Sequence, residues 1–151
     1  MTFKQKNIAV SLVNFTLILG FYSLRVFQMV QNETFTAPNV FRLWGVVIAL
    51  SIFITIAATI LTHVVSTVIE AVRTGNDKPD IEDFEDERDK LIDLKGTKIT
   101  YSFSSLGVFF AMLTYVFGYP PLVMFSLLIF FGVSAQVVGD AARLLLYQRG
   151  V

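Results

Sequence analysis

Cysteine is absent from this chain of 151 residues, and histidine occurs once, at position 63. The lack of cysteine excludes disulfides, thiol nucleophiles, thiolate metal ligands and cysteine-linked lipid anchors. A single histidine also excludes most arrangements of a nucleophile and its base. The chain contains neither G-x-S-x-G nor H-E-x-x-H, and it has no phosphate-binding P-loop. We therefore expect a protein that is not an enzyme and that needs no cofactor.

Charged residues are missing from long parts of the chain. Four apolar runs cover residues 8–30, 43–62, 99–119 and 122–139. The last three contain no Asp, Glu, Lys or Arg, and the first contains only Arg25. About 20 apolar residues form a helix that crosses the roughly 30 Å hydrocarbon layer of a bilayer. Because helices satisfy their own backbone groups, they are the expected spanning form, and the sequence predicts an all-α integral membrane protein surrounded by lipid.

Four spanning helices account for most of the chain, so we predict a single transmembrane domain over 1–151. The predicted helices cover about residues 8–30, 43–72, 97–119 and 121–147. They are expected to form a four-helix bundle of two antiparallel hairpins, joined by an acidic, partly helical loop over 73–96. A cleaved signal peptide is the alternative for the first run, but that run exceeds the usual apolar length of about 7–15 residues. We expect it to be retained.

Lys and Arg are distributed unequally between the two ends of the predicted helices. Of the 12 basic residues, all except Arg25 and Arg42 lie on the side of the termini and the central loop. The side richer in Lys and Arg is normally cytoplasmic, and acidic residues have little influence on this rule. The distribution therefore predicts a multi-pass protein of the cell membrane with both termini and the acidic loop in the cytoplasm.

Negative charge is concentrated in and just before the predicted loop, because ten of the 12 acidic residues lie between Glu70 and Asp93. The candidate partner-binding residues are Phe84, Glu85, Asp86, Glu87, Arg88 and Asp89. Such a surface suits a basic cytoplasmic protein, because opposite charge accelerates association. The leading prediction is therefore an interaction protein whose acidic loop docks or sequesters a cytoplasmic partner or a subunit of a membrane complex. It should repel anionic lipid head groups and nucleic acid, since phosphate binding needs clustered Lys and Arg. The alternatives are a solvated connector and a calcium site, although the pattern of an EF-hand loop is missing.

The tetrapeptide Asp86-Glu87-Arg88-Asp89 is the most distinctive short motif. It resembles a segment found between the second and third helices in a largely uncharacterised family of small prokaryotic four-helix membrane proteins. The basic end of the fourth predicted helix, with Arg143 and Arg149, fits the same layout. Some similar small membrane proteins hold transcriptional regulators at the membrane, so the resemblance implies a regulatory interaction protein. If Arg88 instead folds back onto Asp140, the motif is a structural latch.

A second cluster of polar residues is predicted at the cytoplasmic ends of the second and fourth helices. Its members are His63, Gln136, Asp140 and Arg143. Gln136 and Asp140 share a helical face, and Arg143 lies one turn further on. The cluster is either a charge pair held at the membrane boundary or a proton- or cation-binding site, because histidine titrates near neutral pH. The second interpretation makes the protein a small transporter or a sensor of pH or ions. A zinc site is not expected, because only one histidine is present.

Small residues recur at spacings of three and four on two predicted helices. They are Gly132, Ala135, Gly139 and Ala142 on the fourth helix and Gly45 and Ala49 on the second. Small residues let helices approach closely in lipid. These faces therefore predict close contacts, either within the bundle or between the two copies of a homodimer.

Overall fold

The computed structural model describes residues 3–74 and 87–149, and this part of the chain forms four helices and no strand. The helices are α1 (Phe3–Gln31), α2 (Ala37–Thr74), α3 (Glu87–Val116) and α4 (Pro121–Arg149). Each is long and apolar enough to cross a membrane. The prediction of an all-α chain with four helices of spanning length is confirmed.

The helices are longer than the sequence analysis predicts, above all at the start of α3. This helix begins at Glu87 instead of residue 97, so the segment 87–96 of the predicted, partly helical loop is continuous with α3. Glu87 and Asp89 lie in its first turn, where negative charge stabilises a helix through the helix dipole. Gly96 does not break the helix. The remainder of the predicted loop, residues 75–86, lies outside the described residues.

Short turns join α1 to α2 and α3 to α4. At the end of α1 the amide of Thr34 donates to the carbonyl oxygen of Met29 at 2.9 Å, and Glu33 takes a φ of 57°. At the end of α3, Gly118 takes the corresponding place with a φ of 86°. Both turns have the left-handed residue of a Schellman cap, a conformation that favours glycine. Each turn reverses the direction of the chain, so the two helices that it joins run antiparallel.

The helix α4 is central, because it contacts α1, α2 and α3. The helices α1 and α2 also contact one another, whereas α3 contacts only α4 among the described helices. The arrangement is therefore a three-helix group of α1, α2 and α4 with α3 attached to α4.

The contact between α3 and α4 depends on a glycine. A Cβ atom added at Gly139 would collide with the side chain of Thr100, so the two backbones approach closely at this point. Ala135 is also fully buried. By contrast, a Cβ atom at Gly132 or Gly45 would meet nothing within 4 Å. Gly139 thus serves packing inside the chain, and the homodimer contact stays a prediction.

An apolar core fills the half of the three-helix group that lies near the two turns. Its buried members are Ile18 and Tyr22 of α1 and Leu43 and Val47 of α2. The hydroxyl of Tyr22 donates to the backbone oxygen of Ser126 on α4 at 2.7 Å, which satisfies the phenol within the core. This core packs α1, α2 and α4 against one another at the end near the two turns.

Candidate functional site

A cavity of about 330 Å³ lies between the other halves of α1, α2 and α4. Side chains of all four helices line it. The polar residues are Lys4, Asn7, Ser11, Asn14, Thr55, Thr59, Asp93, Gln136, Asp140 and Arg143, and the apolar ones are Ile8, Val10, Phe15 and Ala58. The cavity therefore combines apolar walls with ten polar or charged side chains, which are few on the spanning helices elsewhere.

Asp140 is the most buried charged residue of this site, with a relative exposure of 3%. Its Oδ2 atom accepts a hydrogen bond from the hydroxyl of Ser11 at 2.5 Å. Its Oδ1 atom accepts from Gln136 Nε2 at 3.1 Å and from Arg143 Nη1 at 3.0 Å. A buried carboxylate is costly unless it is paired and hydrogen-bonded, and these three donors meet that requirement. The carboxylate also ties α1 to α4.

Arg143 extends the same network to α3. Its Nε atom contacts Asp93 Oδ1 at 2.9 Å, and its Nη2 atom donates to the hydroxyl of Thr97 at 2.9 Å. The planar guanidinium group suits such contacts, because its N–H donors point in several fixed directions. Gly96 makes room for this side chain, since a Cβ atom there would collide with it. The glycine at position 96 therefore leaves the space beside α3 that the Arg143 side chain of α4 occupies.

The predicted polar cluster is present in part. The structure brings Gln136, Asp140 and Arg143 together at one end of α4. His63 is exposed on α2 and does not line the cavity. Proton or cation binding by a pair of His63 and Asp140 therefore has no geometric support.

Sequence analysis missed the contribution of α1 to this site. Asn7, Ser11 and Asn14 are separated by four and three residues, which places them on one face of a helix. Polar residues at that spacing in an otherwise apolar run were the available signal. Asp93 was also missed, because the predicted loop over 73–96 included it.

The acidic motif is divided between contacts with α4 and exposed positions. Asp89 accepts a hydrogen bond from the hydroxyl of Tyr147 at 2.7 Å, and Arg88 donates to the backbone oxygen of Tyr147 at 3.3 Å. Glu87 is exposed. These contacts hold the start of α3 against the end of α4 through Tyr147. The latch predicted from the sequence instead joined Arg88 to Asp140. The candidate residues Phe84, Glu85 and Asp86 lie outside the described residues.

The described segments contain no cluster of side chains suited to binding a metal ion. Within 3–74 and 87–149, no three side chains of the types His, Asp and Glu lie together in a way that could hold a metal ion.

Comparisons with protein-family models, with curated proteins and with solved structures found no match for this chain. The resemblance of residues 86–89 to a prokaryotic membrane-protein family stays a prediction.

Proposed function

We propose that the protein is an integral membrane protein that binds a small polar solute or ion in the cavity around Asp140. It would act as a small transporter or as a sensor of that ligand. The observation that carries this proposal is the cavity itself, where ten polar or charged side chains meet between four helices of spanning length. Polar and ionisable groups are costly inside a membrane, and they commonly mark the path or the site of a ligand.

The depth of the cavity supports access from the cytoplasm. Asp140 lies about 28 Å from the start of α4 at Pro121, at a helical rise of about 1.5 Å per residue. Ser11 lies about 30 Å from the end of α1 at Gln31 by the same measure. The hydrocarbon layer is about 30 Å thick, so both residues would lie near its cytoplasmic face if both turns are external. The predicted positions of Lys and Arg favour this orientation.

The apolar core supports a site that opens on one side only. Ile18, Tyr22, Leu43 and Val47 fill the space between α1, α2 and α4 on the external side of the cavity. A solute that enters from the cytoplasm would therefore stop at this core. A transporter would have to separate these side chains, whereas a sensor would not.

The proposed topology predicts opposite accessibility for the two ends of the helices. The chain has no native cysteine, so a single introduced cysteine can be labelled without background. Tyr119→Cys, in the external turn, should react with a membrane-impermeant maleimide in intact cells. Gln148→Cys, at the cytoplasmic end of α4, should react only after the cells are lysed. The reverse pattern would overturn the orientation, and labelling of both in intact cells would overturn the spanning arrangement.

The proposed cavity is tested by comparing two neighbouring positions of α1. Asn14 lines the cavity, whereas Val13 is 57% exposed on the outer surface of the helix, where lipid would cover it. Only the thiolate form of cysteine reacts, and it forms in water much more readily than in lipid. In membranes, N-ethylmaleimide should therefore label Asn14→Cys roughly tenfold faster, or more, than Val13→Cys. Equal and slow labelling of both variants would show that water does not enter the cavity and would overturn the proposal.

Docking of a basic cytoplasmic protein to the start of α3 is the second candidate function. The observation that favours it is the exposure of Leu91 and Leu94, 44% and 69%, on the same segment as the exposed Glu87. An acidic residue beside apolar ones suits a protein partner. Under this candidate, Glu87→Lys should remove a soluble protein that co-purifies in mild detergent. Labelling of Asn14→Cys should be unaffected by that charge reversal.

A further inference from the structure

We infer that the cavity accepts a small uncharged organic solute with hydroxyl or amide groups, in preference to an ion. This inference rests on the proposed function and specifies its ligand. The juxtaposition that carries it is a pair of unpartnered amides, Asn7 and Asn14, beside charged side chains that already have partners.

The two amides of α1 are polar groups of the cavity that have capacity for a ligand. Asn7 and Asn14 are half-buried and line the same cavity from α1. Within the described segments, neither side chain hydrogen-bonds another residue. Each amide offers two N–H donors and one carbonyl acceptor. They lie two helical turns apart, about 10 Å along the axis, so a solute between them can use donors and acceptors at both ends.

The charged groups of the cavity are already engaged. Asp140 accepts three hydrogen bonds, one of them from Arg143. Arg143 uses its remaining nitrogens on Asp93 and Thr97. Lys4 also has an interaction partner. An entering ion would therefore bring an uncompensated charge into a partly desolvated space or break an existing pair, and both are costly. An uncharged solute avoids both costs.

The size and the walls of the cavity fit a small organic molecule. Its volume of about 330 Å³ is near the lower end of ligand pockets, which range over roughly 300–1,000 Å³. Ile8, Phe15 and Ala58 supply apolar surface beside the amides. Apolar walls with a few polar groups that fix orientation are typical of sites for organic ligands. A bare metal ion would use neither the volume nor these walls.

The test is protection of a reporter cysteine by solutes of different charge. Thr55→Cys places the reporter on α2 at the wall of the cavity, and N-ethylmaleimide labels it in protein reconstituted into nanodiscs. Glycerol and acetamide are the uncharged probes, and sodium chloride and methylammonium chloride are the charged ones. A bound solute reduces the labelling rate by the factor 1 + [L]/Kd, so an uncharged probe should slow labelling about threefold at twice its dissociation constant. Gln148→Cys, outside the cavity, corrects for effects of the solutes on the reagent.

Two further variants separate binding at the amides from other effects. Asn14→Leu in the Thr55→Cys protein should abolish protection by the uncharged probes, whereas Val13→Leu should retain it. Protection that persists in Asn14→Leu, or protection by the charged probes alone, would overturn the inference and leave the proposed function in place. If the reporter reacts and no probe of either class protects it, the inference fails. If neither Thr55→Cys nor Asn14→Cys reacts at all, the proposed function fails with it.

Discussion

Replacement of Gly139 by valine is expected to detach α3 from α4. A single Cβ atom at this position would already collide with Thr100, and valine adds two methyl groups to the same contact. Overpacking of a close contact typically costs about 1–3 kcal/mol. We expect the upper part of that range, because α3 contacts no other described helix that could hold it in place. Thermal unfolding of the purified protein in detergent measures the loss.

Gly132→Val is the matched control for this substitution. Gly132 lies on the same helix, and a Cβ atom there would meet nothing within 4 Å. Valine also has a slightly higher helix propensity than glycine, so this variant should be as stable as the parent protein. Thr100→Ala in the Gly139→Val background should recover part of the loss, because it removes the colliding hydroxyl. Equal stability of the two valine variants would show that the close contact of α3 and α4 does not form.

The number of helices could be predicted from the sequence because it depends on local composition. An apolar run of spanning length without charge has few alternatives to a membrane helix. The start of α3 was predicted only in part, because the sequence indicates a partly helical loop over 73–96 without a defined helix start. The segment 87–96 is polar and contains Gly96, a composition typical of loops. It is helical because Tyr147 and Arg143 of α4 contact it, and such contacts between helices leave no periodic signal in the sequence.

The candidate site was predictable only where its contacts are local. Asp140 and Arg143 are three residues apart on one helix, so their pairing follows from helical geometry. Ser11 is 129 residues away from Asp140, and Asp93 is 50 residues away from Arg143. Those contacts depend on how α1 and α3 are rotated about their axes against α4. His63 is the converse case, because its residue type suggested a place in the cluster whereas it does not line the cavity.

Arg143 is the residue whose loss should affect the site most. Its side chain is 13% exposed and compensates Asp140, whose side chain is 4% exposed. Removal of one member of a buried ion pair typically costs about 3–5 kcal/mol, because the other charge is left buried without a partner. We expect a loss of this size for Arg143→Met, measured by thermal or denaturant unfolding. Arg149→Met, at the exposed end of α4, is the control and should change stability by less than about 0.5 kcal/mol.

The double variant Arg143→Met with Asp140→Asn decides whether the buried charge is the cause. Asparagine at position 140 carries no charge and can still accept a hydrogen bond from Ser11, so the double variant should be more stable than Arg143→Met alone. Arg143→Lys should be intermediate, because an ammonium group cannot reach Asp93, Asp140 and Thr97 at the same time. If Asp140→Asn instead adds its own cost in full to that of Arg143→Met, the two side chains are not coupled. Arg143 would then stabilise the protein through its contacts with α3, and the carboxylate of Asp140 would have to be held by Ser11 and Gln136 alone.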